Sequence, residues 1–288
     1  ATHTAAAMQR IRRQPRQADR DPVGRARKRR IIELSLGITF PVALLVLWQI
    51  AGTQGWISRF NYPPPSDIAK EINRSFRANP KGNWWIDVYW SAERMLFGYM
   101  WGVFIGVFLG VTMGMNRLLR ATLEPTLNAL YTVPKIALIG VFLVTLGFTN
   151  RPVIAIVTIT VFFFVWIQTM AAVMAVSENY REAAASFGSN RWQMFRHVML
   201  PASLPQIFVG LRVAAGVAVL TIIGVEFVFA PGQKGIGYRI VNARQTLDPK
   251  QAYVGLFVAA VFGVIFVTVI KFLDWLLLPW ARDDNSLD

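Results

Sequence analysis

The stretch Met95–Asn116, MLFGYMWGVFIGVFLGVTMGMN, runs for 22 residues without a charge between Arg94 and Arg117. A helix needs about 20 mostly apolar residues to cross the hydrocarbon core of a bilayer. Within this stretch Gly98, Gly102, Gly106, Gly110 and Gly114 recur every four residues. Residues four apart share a helical face, so the glycines form a stripe along which a second helix can come close. The stripe predicts a packing surface rather than a contact with substrate.

Working outward, five further segments share this character. Twenty-five uncharged residues separate Glu33 from Arg59, 15 separate Lys135 from Arg151, and 26 separate Arg151 from Glu178. Thirteen lie between Arg212 and Glu226, extended on both sides, and 20 between Lys250 and Lys271. An open sheet leaves its backbone polar groups unsatisfied in lipid, so these runs are helices. The expected architecture is an all-α integral membrane protein with six transmembrane helices, near 34–54, 94–115, 126–148, 152–176, 205–230 and 252–277. Composition agrees. The 288 residues are 54% hydrophobic and 16% charged, against roughly 25% charged in soluble domains. Cysteine is absent, which removes disulfides and thiolate chemistry. Only His3 and His197 are histidines, so no metal site is expected.

The net charge of +14 is concentrated in residues 1–30, which contribute +8. A basic stretch before the first apolar segment holds an N-terminus in the cytoplasm and rests favourably on anionic lipid. It lacks the interleaved aromatics that stack bases, so nucleic acid is not an expected partner and the tail is expected to be disordered. Six crossings then return the C-terminal tail, 282–288, to the cytoplasm. Loops 116–125 and 177–204 face inward; 55–93, 149–151 and 231–251 face outward. Trp48, Trp56, Trp84, Trp85 and Trp90 are expected in an interfacial belt. After Pro63-Pro64-Pro65, the residues Ile68, Ile72 and Phe76 recur at helical spacing, predicting a short helix on the membrane surface.

The loop 177–204 carries most of the functional information. Tyr180, Ala183, Ala184 and Phe187 fall on one helical face. Gly188 is suited to end that helix in a left-handed conformation. Trp192, Phe195 and Met199 mark a second face, and Pro201 and Pro205 are expected to end it. Two short helices meeting at a glycine, one with small residues and an aromatic, suit insertion into a partner. A plain amphipathic helix on the inner leaflet suits the pattern equally.

Glu182-Ala183-Ala184, three residues, Gly188, nine residues, then Val198-Met199-Leu200-Pro201 resembles the EAA signature of bacterial ATP-binding-cassette importer permeases. The resemblance extends over most of residues 34–280. Tyr62-Pro63-Pro64-Pro65-Ser66, Val133-Pro134-Lys135-Ile136-Ala137-Leu138, Gly210-Leu211-Arg212, Glu226 and Gly235-Ile236-Gly237-Tyr238 resemble the branch importing nitrate, sulfonates and taurine. Val198 stands where isoleucine is commoner. The resemblance implies a type I importer (MetI-like) permease fold with a cytoplasmic coupling helix. It implies a second permease copy, two cytoplasmic ATPase subunits that use ATP and Mg, and a periplasmic solute-binding protein. The implied coupling residues are Tyr180, Arg181, Glu182, Ala183, Ala184, Phe187, Gly188, Trp192, Leu200 and Pro201. No G-x-x-x-x-G-K-[ST] phosphate loop occurs, so the chain is expected to bind no cofactor and to be no enzyme by itself. A self-sufficient anion channel or secondary transporter is the alternative.

Three residues are candidates for the path or a gate. Lys135, beside Pro134, lies roughly 15 Å into the third helix at 1.5 Å per residue, where an ammonium needs a partner, water or a pathway: it suits an anion route, and equally a side chain that snorkels toward the cytoplasm or pairs between subunits. Glu226 lies about 31 Å along the fifth helix, near its outer end. It suits an outer gate or a contact holding the loop 231–238. Lys271 and Asp274, three apart, can pair at the inner end of the last helix and are assigned no function.

Overall fold

A computed structural model describes residues 22–77 and 84–281. The expectations for residues 1–21 and for the C-terminal tail 282–288 lie outside them. The chain divides into two compact units, 1–67 and 68–288.

The first unit is built on α1 (Pro22–Thr53). Its apolar part, Ser35–Thr53, is long enough to cross a membrane. The helix begins at Pro22, so the last nine residues of the basic tail are helical rather than disordered. Arginine and lysine are good helix formers, and extending an existing helix avoids the cost of nucleation. Beyond α1 the chain turns back. Ser66 donates its backbone N–H to Gln49 Oε1 at 3.0 Å, and Gln49 Nε2 donates to Ser66 Oγ at 3.0 Å. Arg59 grips Asp67 through two bonds of 3.0 and 3.1 Å.

Helix α2 (Pro65–Arg77) crosses the boundary between the units. Its stripe lies on protein rather than on lipid: Ile72 and Phe76 pack against a cluster of Trp84, Ile236, Ile240, Val254 and Val258. Trp84 is 2% exposed, so it belongs to this core and not to an interfacial belt.

The second unit is a helix bundle. Its members are α3 (Trp84–Met115), α4 (Arg117–Tyr131), α5 (Ile139–Leu146), α6 (Arg151–Met174), α7 (Glu178–Ser186), α8 (Arg191–Met194), α9 (Leu200–Val228), α10 (Ile236–Gln245) and α11 (Pro249–Leu277). The central contact is α3 on α6. A Cβ built on Gly98, Gly102, Gly106, Gly110 and Gly114 would lie 2.6–2.9 Å from the Cβ of Val157, Val161, Val165, Thr169 and Val173, in that order. Each glycine is thus a notch holding one β-branched side chain. Both series ascend together, so α3 and α6 run parallel. α9 runs antiparallel to them: Tyr99 Oη donates to the Leu211 carbonyl at 2.9 Å, while Arg94 meets Glu226 further along.

Parallel neighbours require the chain between them to return across the bundle. Arg94 Nε donates to Asn150 Oδ1 at 2.9 Å, so α6 starts beside residue 94. From there to Met115 is roughly 32 Å at 1.5 Å per residue. The returning segment is α4 and α5, bent by 85°. It replaces the single helix expected over 126–148, and counted as one crossing it gives six. Pro134 explains the break. It lacks an N–H and disfavours helical geometry at Val133, and itself takes an extended ψ of 104° before a short 3-10 turn at Lys135–Leu138. The start also moved. Asn116 caps α4 by accepting from the N–H groups of Leu118 and Leu119, so 116–125, expected as a loop, is mostly helix.

Two other boundaries differ. α3 begins at Trp84, ten residues early, and loop 231–251 contains α10. Pro201 and Pro205 do not terminate a helix. A π turn at Phe195–Met199 leads straight into α9, with Pro201 in its first turn and Pro205 inside. Both prolines lie inside one continuous helical run, Arg191–Val228, and the π turn just ahead of Pro201 absorbs the mismatch that its missing N–H creates.

Gly102→Leu is expected to destabilise the bundle by about 1–3 kcal/mol through overpacking against α6. Gly216→Ala, with nothing within 4 Å of its added Cβ, is expected to be silent. Thermal unfolding of both variants in mild detergent checks the contrast.

Candidate functional site

At one end of the bundle, α7 and α8 form a corner between α6 and α9. Gly188 has φ +77°, a left-handed conformation that glycine adopts without steric cost. The helix end is closed by Gly188 N–H to the Ala185 carbonyl and Ser189 N–H to the Ala184 carbonyl, the double bond of a glycine-terminated helix. Asn190 then opens α8 with a reciprocal box: its side chain accepts from Gln193 N–H, and Gln193 Oε1 accepts from Asn190 N–H. Such a box satisfies two otherwise orphan donors.

This corner points aromatics outward. Phe187 is 90% exposed, and Tyr180 and Trp192 are 62% and 63% exposed. Glu182, Ala183 and Gly188 are also exposed, whereas Ala184 is buried. The four residues assigned to one face therefore divide: Ala184 packs on the bundle and the others face away. Arg181 is half-buried, donating to the Val173 carbonyl at 3.4 Å and pairing with Glu178 at 3.5 Å. It braces α7 on α6. Leu200 and Pro201 are half-buried at the start of α9. Behind the corner opens a cavity of about 1230 Å3. Arg212 lies along it and pairs with Asp274 at 2.7 Å, so Asp274 does not take the pairing that its spacing from Lys271 allows. Asp274 instead ties α11 to α9, because the guanidinium across the interface reaches it where the helices pack.

The opposite end holds a buried polar network. Asp87, Ser91 and Arg94 lie on one face of α3, in line with Gly98. Arg94 and Glu226 form an ion pair at 2.9 Å, and their side chains are 1% and 0% exposed. Ser91 Oγ donates to the Glu226 carboxylate at 2.8 Å. Arg94 further donates to the carbonyls of Lys234 and Pro231 at 2.8 and 3.0 Å.

The network caps α10. Gly235 N–H donates to Asp87 Oδ1, Ile236 N–H to Ser91 Oγ and Gly237 N–H to Glu226 Oε2, at 2.9, 2.9 and 3.0 Å. The first N–H groups of a helix have no intrahelical acceptor, and carboxylates are favoured there. Arg239 Nε completes the set with Asp87 Oδ2 at 2.6 Å. Gly235 is required in two ways: its φ is +132°, and a Cβ would collide with the Glu226 carboxylate. Glu226 therefore holds the segment 231–238. Asp87 and Ser91 precede the start expected for α3 at 94, Arg94 sits at that start and Asn150 lies in the loop 149–151, so none of them is among the expected site residues. The helical phase of 87, 91, 94 and 98 was the available signal.

Lys135 and Pro134 lie elsewhere, at the bend. Lys135 Nζ donates to the Tyr131 carbonyl and sits 4.4 Å from the Tyr131 ring centroid and 5.2 Å from that of Phe163. A carbonyl and two aromatic faces stabilise the ammonium locally. Nothing brings it to Glu226, whose oxygens are taken by Ser91, Arg94 and Gly237. Among the described residues no three His, Asp or Glu side chains are grouped to hold a metal ion.

Removing one partner of a buried ion pair costs about 3–5 kcal/mol. Arg94→Gln and Glu226→Gln are each expected to lower the thermal midpoint sharply, and Gly235→Ala likewise. Arg94→Met combined with Glu226→Leu is expected to recover part of the loss, read by the same unfolding assay.

Residues 102–283 match the family described as "Binding-protein-dependent transport system inner membrane component". The chain is 32% identical over 240 residues to the putative aliphatic sulfonates transport permease protein SsuC of Escherichia coli (strain K12), covering 83% of this chain and 89% of that one. It is 28% identical over 255 residues to the taurine transport system permease protein TauC of the same strain, covering 87% and 90%. Among solved structures, the inward-facing MetNI methionine ABC transporter aligns with a TM-score of 0.57 at 20% identity, over 68% of this chain and 96% of that one. That likeness speaks to the fold. The chain belongs to the family of inner-membrane components of binding-protein-dependent transport systems: it is the permease subunit of an ATP-binding-cassette importer.

Proposed function

We propose that this permease passes a small organic anion of the sulfonate class inward across the bacterial inner membrane. It does so as one of two identical copies seated on two cytoplasmic ATPase subunits, with a periplasmic binding protein delivering the solute. The observation that carries the coupling role is the corner at Gly188. It projects Phe187 at 90% exposure from a helix braced by Arg181, so an apolar knob is offered on a rigid mount. Buried aromatic anchors dominate the energy of protein interfaces. Energy enters through this contact, because the chain carries no phosphate loop of its own and the partner supplies ATP and Mg. The solute class follows the relatives that transport aliphatic sulfonates and taurine.

In this reading the corner and both termini face the cytoplasm, in keeping with the basic residues 10–30. Glu226 and its network then sit at the outer end. They hold 231–238 in place there rather than moving as a gate. Lys135, engaged at the bend, is a structural residue of the broken crossing rather than part of an anion route.

The test is co-purification from native membranes in mild detergent, followed by uptake in proteoliposomes. A Walker-motif ATPase is expected at stoichiometric amount. Phe187→Asp is expected to reduce its retention and solute-stimulated ATP hydrolysis at least tenfold while leaving thermal stability unchanged. Retention of the ATPase by Phe187→Asp and by Gly188→Pro together would remove the coupling assignment. Lys135→Ala is expected to keep coupling and uptake; a selective loss of anion uptake would restore the anion route.

A further inference from the structure

The cavity behind the coupling corner contains a cation whose donors are only partly used. Helices α9 and α11 form two of its walls and α7 a third. Along α9 the residues Pro205, Val209 and Arg212 follow one another at helical spacing, with Gln206 beside them; Asp274 and Trp275 face them from α11. Arg212 is 36% exposed, so its guanidinium is reachable from the cavity. One terminal nitrogen binds Asp274 Oδ2 at 2.7 Å. The Nε of the same guanidinium is enclosed and has no hydrogen-bond partner among the described residues.

A guanidinium presents its N–H groups as a rigid fork suited to two oxygens of one oxyanion. Here one prong of the Nε edge is held by a single carboxylate oxygen and the other is empty. A buried N–H without an acceptor is unfavourable, so the arrangement favours any ligand that brings a second oxygen. The Gln206 amide lines the same space and is a further donor. The opposing charge of Asp274 keeps such a ligand weakly held, and a transport site must release what it binds.

We propose that Arg212 forms an oxyanion site in this cavity: on release from Asp274 the guanidinium turns its enclosed Nε edge toward the cavity, where Nε and a terminal nitrogen take a sulfonate or sulfate. Asp274 occupies the fork when no anion is present. The site lies at the inner end of the solute's route, next to the segment that contacts the ATPase. The proposal rests on the reading that the solute is a small oxyanion, but anion binding can be measured without the ATPase. A lipid phosphate has the same chemistry, so the measurement has to separate the two sources.

Purified full-length permease in neutral detergent is titrated with trifluoromethanesulfonate, and its fluorine NMR line width is followed. The expected result is broadening that sodium sulfate reverses. Arg212→Gln is expected to weaken binding at least tenfold, and Asp274→Asn to strengthen it several-fold by removing the competitor. A purely structural ion pair predicts no such asymmetry: both variants lose stability and neither changes the line width. Equal broadening by wild type and Arg212→Gln would overturn the site. Broadening insensitive to sulfate but abolished by added phosphatidylglycerol would also overturn it, in favour of a lipid. If Arg212→Gln does not fold, Asp274→Asn decides alone, with unchanged or weaker binding counting against the proposal. Sulfonate uptake by the reconstituted complex is read separately. Binding without uptake would leave the site and remove the solute assignment, and uptake without binding would do the opposite.

Discussion

Five glycines on α3, each receiving one β-branched side chain of α6, set the geometry on which the rest of the molecule depends. In lipid there is little hydrophobic drive for one helix to prefer another, so close packing has to supply it. The notches bring Gly98 through Gly114 against Val157 through Val173 in strict order, which fixes both register and direction. Parallel α3 and α6 then oblige the intervening chain to cross back, and the break at Pro134 lets α4 and α5 do so as a bent pair. α9 lies antiparallel against α6 and α3, and its two ends meet the two polar regions of the bundle.

Those regions do different work. At the α10 end, the Arg94–Glu226 pair is fully enclosed and each guanidinium nitrogen of Arg94 finds an acceptor. Such a network fixes one arrangement, because each buried member is costly to leave unpaired. It continues the glycine face of α3, so helix docking and loop anchoring lie on one stripe. At the α7 end, the groups are open. Phe187 projects, the cavity is broad, and Arg212 is only partly engaged.

Much of this was legible in the chain. The charge-free windows located the apolar part of every crossing, the four-residue glycine period announced a packing face, and Gly188 ended α7 in the expected left-handed conformation. The misreadings were local too. The window over 126–148 looked like one helix because its length was right, and only the proline at 134 hinted at the break. Pro201 and Pro205 looked like terminators because proline usually is one; a π turn made them part of α9. Ala184 shared a helical phase with Phe187, but periodicity does not say which side of a stripe meets the bundle.

By itself the sequence determined that the chain is helical and membrane-embedded, since hydrocarbon leaves the backbone no other means of satisfying its polar groups over runs of this length. It also determined the local stops, where glycine or proline restricts the backbone residue by residue. The tertiary structure alone decided the partners. Asp87, Ser91 and Arg94 meet Glu226 and the first turn of α10 across more than 130 residues of chain, and Asp274 turns to Arg212 rather than to Lys271. A short window records period and charge but not which elements dock, and a charge takes whichever counter-charge the docked helices bring within reach.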